Sequence, residues 1–273
     1  MKNYEELDIT DNFMFCKVFS NEEIAKDFLQ DVLKITIEKL TVVSEATAQE
    51  DPFHKSVRLD VLAKEESADA SGDLQTVRYF DIEMQMVDTG DLPKRARYYQ
   101  GMCDLDVLAK GVSYTKLQEQ YILFICPDDV FGKGKPVYRF QNRENSDPGI
   151  LLGDLCYKNF YIFSKYSEVK DEKTREYMQY FATKKCKSAK MKRIHNLVKW
   201  YRQDPATKKA YMTLEQELNI RYEKGVADGR KKGREEGINT RNKELAKAFR
   251  DHGVDINVIV NSTGLTTEEI KAL

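Results

Sequence analysis

The chain has 273 residues, of which 41% are hydrophobic and 33% are charged. This composition predicts a folded protein of one large or two smaller domains and excludes a disordered chain. A formal net charge of −1 and a mean hydropathy of −0.61 exclude a protein that coats nucleic acid through bulk positive charge. Any contact with nucleic acid must therefore use local basic surface.

The cysteines and the N-terminal segment indicate the cellular compartment. The five cysteines are far apart and form no CxxC pair, which predicts reduced thiols rather than disulfides or a zinc site. The opening MKNYEELDITDN is acidic and polar, and no apolar run approaches the length of a membrane span. We therefore expect a cytoplasmic protein that does not enter a membrane.

Residues 1–20 are interpreted as a lead-in, and the first helix is predicted over residues 21–34. Asn21 stands at the N-cap position with two glutamates after it, and apolar residues then recur at helical spacing. A weakly alternating segment at residues 37–44 predicts the first strand.

Two clearly alternating segments predict a pair of neighbouring strands, over residues 55–64 and 76–87. The polar, glycine-containing stretch EESADASGD between them predicts a hairpin loop. The apolar residues of each strand share one face: Val57, Leu59, Val61 and Ala63 in the first, and Phe80, Ile82, Met84 and Met86 in the second.

The next elements are a helix and three more strands. A helix is predicted over residues 91–110, with Gly111 after its end. The continuous apolar run at residues 119–126 is typical of a central buried strand, and strand-like runs follow at 136–142 and 156–164. This order of elements predicts an α/β fold with a mixed central sheet flanked by helices.

The character of the chain changes near residue 166, where polar, helix-permissive sequence begins. We therefore predict a core of residues 1–165 and a charged, helical C-terminal module of residues 166–273. Eight basic residues and no acid lie within residues 184–202, and such a surface can hold a phosphate backbone. The alternative is a solvated helix face.

Four glycines recur at every fourth position: Gly225, Gly229, Gly233 and Gly237. On a helix they form one stripe that allows close helix approach, which predicts a homo-oligomer formed through the C-terminal region. The alternative is a flexible charged linker. Near the end, Thr263-Gly264-Leu265 predicts a turn, and Thr266 or Thr267 is expected to cap a last helix.

The face opposite the apolar one carries polar residues on both alternating strands. Asp60 lies on that face of the first strand, and Asp81, Glu83 and Gln85 lie on that of the second. Hairpin pairing would bring Asp60 near Glu83, and two carboxylates that meet need a cation such as Mg²⁺ or Mn²⁺. Such a metal can activate water for phosphodiester hydrolysis. The alternative is a solvated acidic face of an amphipathic hairpin.

The segments SVRLDVLAKEES, RYFDIEMQMVDTGDLPKRARYYQG and EQYILFIC resemble the PD-(D/E)XK nuclease family transposases, also called recombination-promoting nuclease-like proteins. The opening TDNFMFCKVFSNEEIAKDFLQDVL is similar to the family's lead-in and first helix, so the resemblance covers residues 9 to about 165. It implies a restriction-endonuclease-like core. The family's pattern, an Asp in one strand and Glu-x-Gln in the next, implies that Asp60, Glu83 and Gln85 are catalytic. It also implies that Asp60 and Glu83 are the metal ligands.

This resemblance implies a metal-dependent DNA endonuclease linked to recombination or mobile DNA, with DNA as its partner and Mg²⁺ or Mn²⁺ as its cofactor. The broader superfamily usually has Lys where Gln85 stands. The site therefore has no built-in cation beside the phosphate, and the rate of cutting is left open. The alternative is a DNA-binding or assembly protein with a weakly active or inactive nuclease core.

Further candidate residues surround this pattern. Asp11 and Glu22 are additional candidate acids, for which the alternative is a helix cap or a surface acid. Asp81 shares a face with Glu83 and is a possible substitute ligand. The candidate DNA-binding residues lie on the helix after the Glu-x-Gln strand and in the basic stretch: Arg95, Arg97, Tyr98, Lys184, Lys185, Lys187, Lys190, Lys192 and Arg193.

Overall fold

The computed structural model describes residues 2–44, 47–48, 57–68, 74–108 and 111–273. The chain divides into two compact units, Met1–Lys208 and Lys209–Leu273. The described strands are β1 (Lys39–Ser44), β2 (Thr47–Ala48), β3 (Val57–Arg58), β4 (Val61–Ala68), β5 (Leu74–Met84), β6 (Glu119–Cys126), β7 (Val137–Phe140) and β8 (Cys156–Ile162). The described α-helices are α1 (Asn12–Phe19), α2 (Glu22–Leu33), α3 (Leu92–Val107), α4 (Glu172–Thr183), α5 (Ala189–Gln203), α6 (Pro205–Asp251), α7 (Ile256–Thr263) and α8 (Thr267–Ala272).

The first unit is built on a six-stranded sheet with the order β1-β4-β5-β6-β8-β7. Strands β5, β6 and β8 run parallel, while β1, β4 and β7 pair antiparallel with their neighbours. Strands β2 and β3 form a separate two-stranded ladder. The predicted α/β fold with a mixed central sheet is confirmed, and the architecture is consistent with a PD-(D/E)XK fold.

Strand β6 occupies the interior of the sheet, as its apolar run predicted. It pairs parallel with β5 on one side and with β8 on the other. Five consecutive residues from Ile122 to Cys126 are at most 1% exposed. A parallel strand covered on both faces needs apolar side chains in both directions, which explains the absence of alternation here.

The predicted hairpin is present as β4 and β5, which pair antiparallel with Leu62 opposite Asp81. Strand β4 extends into the predicted loop, and residues 69–73 lie outside the described part of the chain. The prediction of one continuous strand over 55–64 is wrong, because β3 and β4 belong to different ladders. Leu59 lies between these strands and packs in one cluster with Leu62, so the predicted alternation fails at that position.

Helix α3 covers the face of the sheet that carries Leu62, Phe124 and Phe160. It contributes several apolar side chains to this core: Leu92, Ala96, Tyr99, Met102 and Cys103. The opposite face of β5 is also buried, since Phe80 and Ile82 are fully covered. The alternative of a solvated acidic face is therefore wrong, because the helix takes the place of solvent.

The N-terminal segment contains a helix that the sequence did not indicate. Residues 12–19, interpreted as part of a lead-in, form α1, in which Phe15 stacks on Phe19 with ring centroids 4.3 Å apart. Phe28 of α2 meets Phe19 edge-on at 5.3 Å. The predicted first helix is confirmed as α2, with the Asn21 side chain accepting the Ile24 N–H at 3.1 Å.

Helices α4 and α5 belong to the first compact unit, which reaches Lys208. Phe181 of α4 lies 6.3 Å from Phe28 and 6.4 Å from Phe15, and Tyr177 packs edge-on against Phe28 at 5.1 Å. The division between the units thus falls later than the predicted boundary at residue 165. The physical reason is that α4 completes the aromatic core begun by α1 and α2.

The second unit consists of most of α6 followed by α7 and α8. The four periodic glycines lie inside the continuous α6 and are exposed, so this stretch is helical rather than a linker. At the C-terminal end, Ala246, Ile259 and Ile270 form a small core. The predicted cap of the last helix is confirmed at Thr266, whose side chain forms a capping box with Glu269.

Two expectations concern the chemistry of the whole chain. The five cysteines, all within the described residues, are thiols rather than disulfides. Within the described residues, no helix is both long and apolar enough to cross a membrane.

We predict that Phe181→Ala lowers the free energy of unfolding by about 3–5 kcal/mol, because it leaves a cavity between α1, α2 and α4. Urea unfolding followed by circular dichroism measures this change. Tyr114→Ala is the matched control, since Tyr114 is 82% exposed and its loss should cost under about 0.5 kcal/mol. Equal effects of the two substitutions would mean that α4 is not part of this core.

Candidate functional site

The candidate site lies at the carboxyl end of β5, where β4 begins. Asp60 immediately precedes β4, Glu83 is the penultimate residue of β5, and Gln85 follows that strand. Strand β5 runs parallel to β6, and the Gln85 N–H donates to the Ile125 carbonyl at 2.9 Å. In open α/β sheets, ligands bind in the crevice outside the carboxyl ends of the parallel strands.

Asp60 and Glu83 hold each other through backbone amides. The Asp60 N–H donates to Glu83 Oε1 at 3.0 Å, and the Met84 N–H donates to Asp60 Oδ2 at 3.1 Å. Each carboxylate is thus oriented by the main chain beside the other acid. The expected proximity of Asp60 and Glu83 is present in the structure, and the reciprocal bonds leave little freedom for either side chain.

Asp81 and Glu83 are buried carboxyl groups, 1% and 3% exposed. Burial, and to a smaller extent the charge of Asp60, raise the pKa of Asp81 to about 8. Burial also raises the pKa of Glu83 well above its ordinary value, with additional contributions from Asp81 and Asp60. Like charges this close cannot all ionise without a counter-charge, so the cluster holds a proton at neutral pH.

The carboxylate oxygens of this cluster are of the type that hard divalent cations bind. In the described residues, neither buried oxygen of Asp81 has a hydrogen-bond donor beside it, unless the adjacent Glu83 carries a proton. Within the described ranges, no group of three or more acidic, histidine or cysteine side chains is arranged to hold a metal by itself. Mg²⁺, however, commonly uses one or two carboxylates and takes its other ligands from water and phosphate. Asp60 and Glu83 fit that role.

A cation of the protein itself lies next to these acids. Arg95 of α3 donates from Nη1 to Gln85 Oε1 at 2.8 Å, and its Nη2 lies 3.6 Å from Glu83 Oε2. The guanidinium also lies over the rings of Tyr99 and Phe124, 5.4 and 5.6 Å from their centroids. The Gln85 side chain thus binds a cationic group that lies beside Glu83.

Tyr99 is a site residue that the sequence analysis missed in favour of its neighbour Tyr98. The Tyr99 hydroxyl accepts from Arg95 Nε at 3.2 Å and from Nη2 at 2.8 Å. Burial, and then the charge of Glu83, raise the pKa of Tyr99 to about 12, so the hydroxyl stays protonated. The spacing of four residues from Arg95 places both on one helix face and could have identified it.

The other two candidates on α3 face elsewhere. Arg97 is exposed and lines a pocket with Phe140 and Lys158, on the side of α3 away from Arg95. Tyr98 is 38% exposed. The structure thus brings Arg95 to the acids and leaves Arg97 and Tyr98 at the surface.

Three of the six candidate DNA-binding residues in the basic stretch form ion pairs within the first unit. Lys184 pairs with Asp8 at 3.2 Å, Lys190 pairs with the buried Asp31, and Arg193 pairs with Glu23. These ion pairs tie α5 and the segment before it to the N-terminal segment and α2. Three candidates remain exposed and form no ion pair with the described residues: Lys185, Lys187 and Lys192.

The additional candidate acids are not brought to this cluster in the same way. Asp11 accepts from Lys2 Nζ at 2.9 Å and from the Asp8 N–H at 2.7 Å, which fits the alternative of a surface acid. Glu22 lies exposed in the first turn of α2. Asp81 is thus the one candidate of the three that adjoins Glu83.

The raised pKa values predict that stability depends on pH. The pKa of Asp81 rises from 3.8 to about 8 on folding, so the folded state binds more protons than the unfolded state between these values. The free energy of unfolding should therefore fall as pH rises from about 4 to about 8 in EDTA. In Asp81→Asn this fall should shrink, which thermal melts at pH 5 and pH 8 will measure.

Asp128→Asn is the control for this measurement, because Asp128 is exposed near the same end of the sheet. It should retain the parent dependence on pH. An equal loss of stability between pH 5 and pH 8 in the parent and in Asp81→Asn would refute the buried proton.

Comparison with known proteins identifies a family for this chain. The family model described as PD-(D/E)XK nuclease family transposase matches residues 9–218, which include the acids, Arg95 and helices α4 and α5. No curated protein and no solved structure matches the chain. Because the match covers most of the chain, the protein belongs to the PD-(D/E)XK nuclease family transposases.

Proposed function

We propose that this protein is a metal-dependent DNA endonuclease that hydrolyses phosphodiester bonds, with a role in recombination or mobile DNA. The observation that carries the proposal is the reciprocal pair of Asp60 and Glu83 at the end of β5. Structural acids seldom lie buried beside like charges, whereas perturbed, clustered carboxyl groups are frequent at catalytic sites. Family membership supports the same class of activity.

Asp60 and Glu83 would hold Mg²⁺ or Mn²⁺, which when bound supplies an activated water and neutralises charge on the phosphate. The carboxylates are already oriented by backbone amides, so little reorganisation is needed on binding. A bound cation would also favour ionisation of the carboxyl groups, and the proton held by Asp81 and Glu83 would leave. Binding of the metal is therefore expected to strengthen as pH rises.

Arg95 would place a positive charge beside the scissile phosphate. Gln85 holds one nitrogen of its guanidinium and Tyr99 holds two, so the group is fixed before substrate arrives. A fixed donor costs no reorganisation when negative charge grows on the phosphate oxygens. Gln85 is then a positioning residue for Arg95 as well as a candidate for orienting water.

DNA would reach this site along local basic surface rather than through net charge. Lys185, Lys187 and Lys192 are exposed and are the candidates from the basic stretch for contacts with the DNA backbone.

The thiol state of the cysteines fits a cytoplasmic enzyme. The exposed glycine stripe of α6 is proposed as a surface for self-association.

One observation favours a second function, a DNA-binding or assembly protein with an inactive core. Arg95 already lies near Glu83, and the described residues offer only two well-placed carboxylates outside Asp81. If Arg95 serves as the permanent counter-charge, no metal enters. A gel shift that persists in EDTA, without cleavage in Mg²⁺ or Mn²⁺, would establish this function.

We predict that Asp60→Asn and Glu83→Gln each reduce Mg²⁺-dependent cleavage of supercoiled plasmid by at least about 100-fold. Both substitutions preserve shape and hydrogen bonding but remove the charge that a metal requires. Asp128→Asn, which changes an exposed carboxylate near the same end of the sheet, should cut DNA at the parent rate. Cleavage at the parent rate by both variants would show that Asp60 and Glu83 are not the metal ligands of the reaction.

Arg95→Gln should lower kcat about 100-fold with a smaller change in KM, because its charge acts on the developing negative charge. Arg95→Lys should recover part of the rate. Lys94→Gln, in the exposed neighbour on the same helix, serves as the control. A change confined to KM would show that Arg95 only binds DNA.

A further inference from the structure

A second feature lies on the same face of the sheet as the acids, on the other side of α3. It is an open pocket of about 350 Å³ between α3, β7 and β8. Its walls include Arg97, Phe131, Phe140, Gln141 and Lys158. The volume is within the usual range of small-ligand sites.

The register of the sheet places this pocket near the acids. Glu83 pairs with Phe124, Phe124 with Phe160, and Phe160 with Tyr138, so these residues form one row across the parallel strands and the edge strand. Adjacent strands are about 4.8 Å apart, so Phe160 in the pocket floor is about 10 Å from Glu83 along this row. The pocket thus lies within reach of a polymer bound at the acidic site.

The walls of the pocket are aromatic. Phe131 lies with its ring centroid 4.9 Å from that of Phe140 and 4.9 Å from that of Phe160, to which it is perpendicular. Phe140 is on an edge strand and remains 43% exposed, although its ring packs against three others. An aromatic ring fixed from one side and open on the other is a stacking platform for a nucleobase.

The charges of the pocket are uncommitted. Neither Arg97 nor Lys158 forms an ion pair within the described part of the chain, in contrast to Lys184, Lys190 and Arg193. Gln141 is half-buried and its amide has no hydrogen-bond partner in the same ranges. Two cations beside an aromatic platform suit an anionic ligand with a flat ring. The Gln141 side-chain amide offers a hydrogen-bond donor and an acceptor to the edge of that ring.

We propose that this pocket binds an unpaired nucleobase of the DNA strand that enters the acidic site, with Arg97 and Lys158 on its phosphates. This proposal rests on the proposed function, because it takes DNA to be the substrate. A base within a duplex is stacked on both sides and cannot enter such a pocket. The protein would therefore prefer single-stranded or unpaired segments beside the scissile phosphate.

Binding of the full-length protein to labelled oligonucleotides in EDTA tests the pocket without cleavage. The probes are a single strand of thymidines and the same backbone with abasic sites. The parent should bind the intact strand about 10-fold more tightly, and Phe140→Leu should remove most of that difference. Tyr114→Leu, in an exposed aromatic residue near the opposite end of β6, should leave it unchanged.

The salt dependence of DNA binding tests the charges of Arg97 and Lys158, because a folding defect would not change the slope in the same way. Arg97→Gln and Lys158→Gln should each flatten the slope of log K against log salt by about 0.7, the value for one phosphate contact on a single strand. Lys116→Gln is the control, because Lys116 is an exposed lysine in the same short 3-10 helix as Tyr114. Melting curves of all variants establish that they are folded.

Three results would overturn the proposal: equal parent affinity for the intact and abasic strands, no binding by the parent, or parent-like binding by Phe140→Leu. These outcomes are independent of the acids. A protein that loses base-dependent binding in Phe140→Leu but never cuts DNA would retain the pocket and lose the nuclease. A protein that cuts DNA and ignores the bases would retain the nuclease and lose the pocket.

Discussion

The burial of like charges at the end of β5 is the constraint on which the rest of the site depends. Asp81 and Glu83 lie under α3 with Asp60 beside them, and water cannot screen their repulsion. This repulsion is reduced by a proton that the Asp81 and Glu83 pair retains and by the nearby guanidinium of Arg95. A divalent cation would meet it more completely, and this difference in electrostatic free energy is the proposed basis of metal binding.

Helix α3 connects the two halves of this face. Arg95 and Tyr99 point to the acids from one side of the helix, while Arg97 lines the aromatic pocket from the other. Its apolar residues, including Leu92 and Ala96, hold it on the sheet. A single packed helix thus sets the separation between the proposed phosphate site and the proposed base site, and the two are expected to act on one strand.

Local patterns predicted the parts of the fold that depend on local physics. Alternation and a polar loop predicted the hairpin that brings Asp60 to Glu83, and the unbroken apolar run predicted the central strand β6. Burial of the acids was not predictable, because it depends on where α3 packs. The same holds for the contact of Arg95 with Gln85, while α1 is too short for its periodicity to be recognised. The roles of Asp60, Glu83 and Gln85 in catalysis stay predictions.

A crystal structure of the protein soaked in Mn²⁺ will show whether Asp60 and Glu83 share an ion, because anomalous scattering locates the metal. We expect a single ion with oxygen atoms of both Asp60 and Glu83 about 2.0–2.3 Å away. Arg95 should keep its hydrogen bonds to Gln85 and Tyr99. An ion bound elsewhere, or an acid pair that keeps its reciprocal bonds and no ion in saturating Mn²⁺, would contradict this expectation.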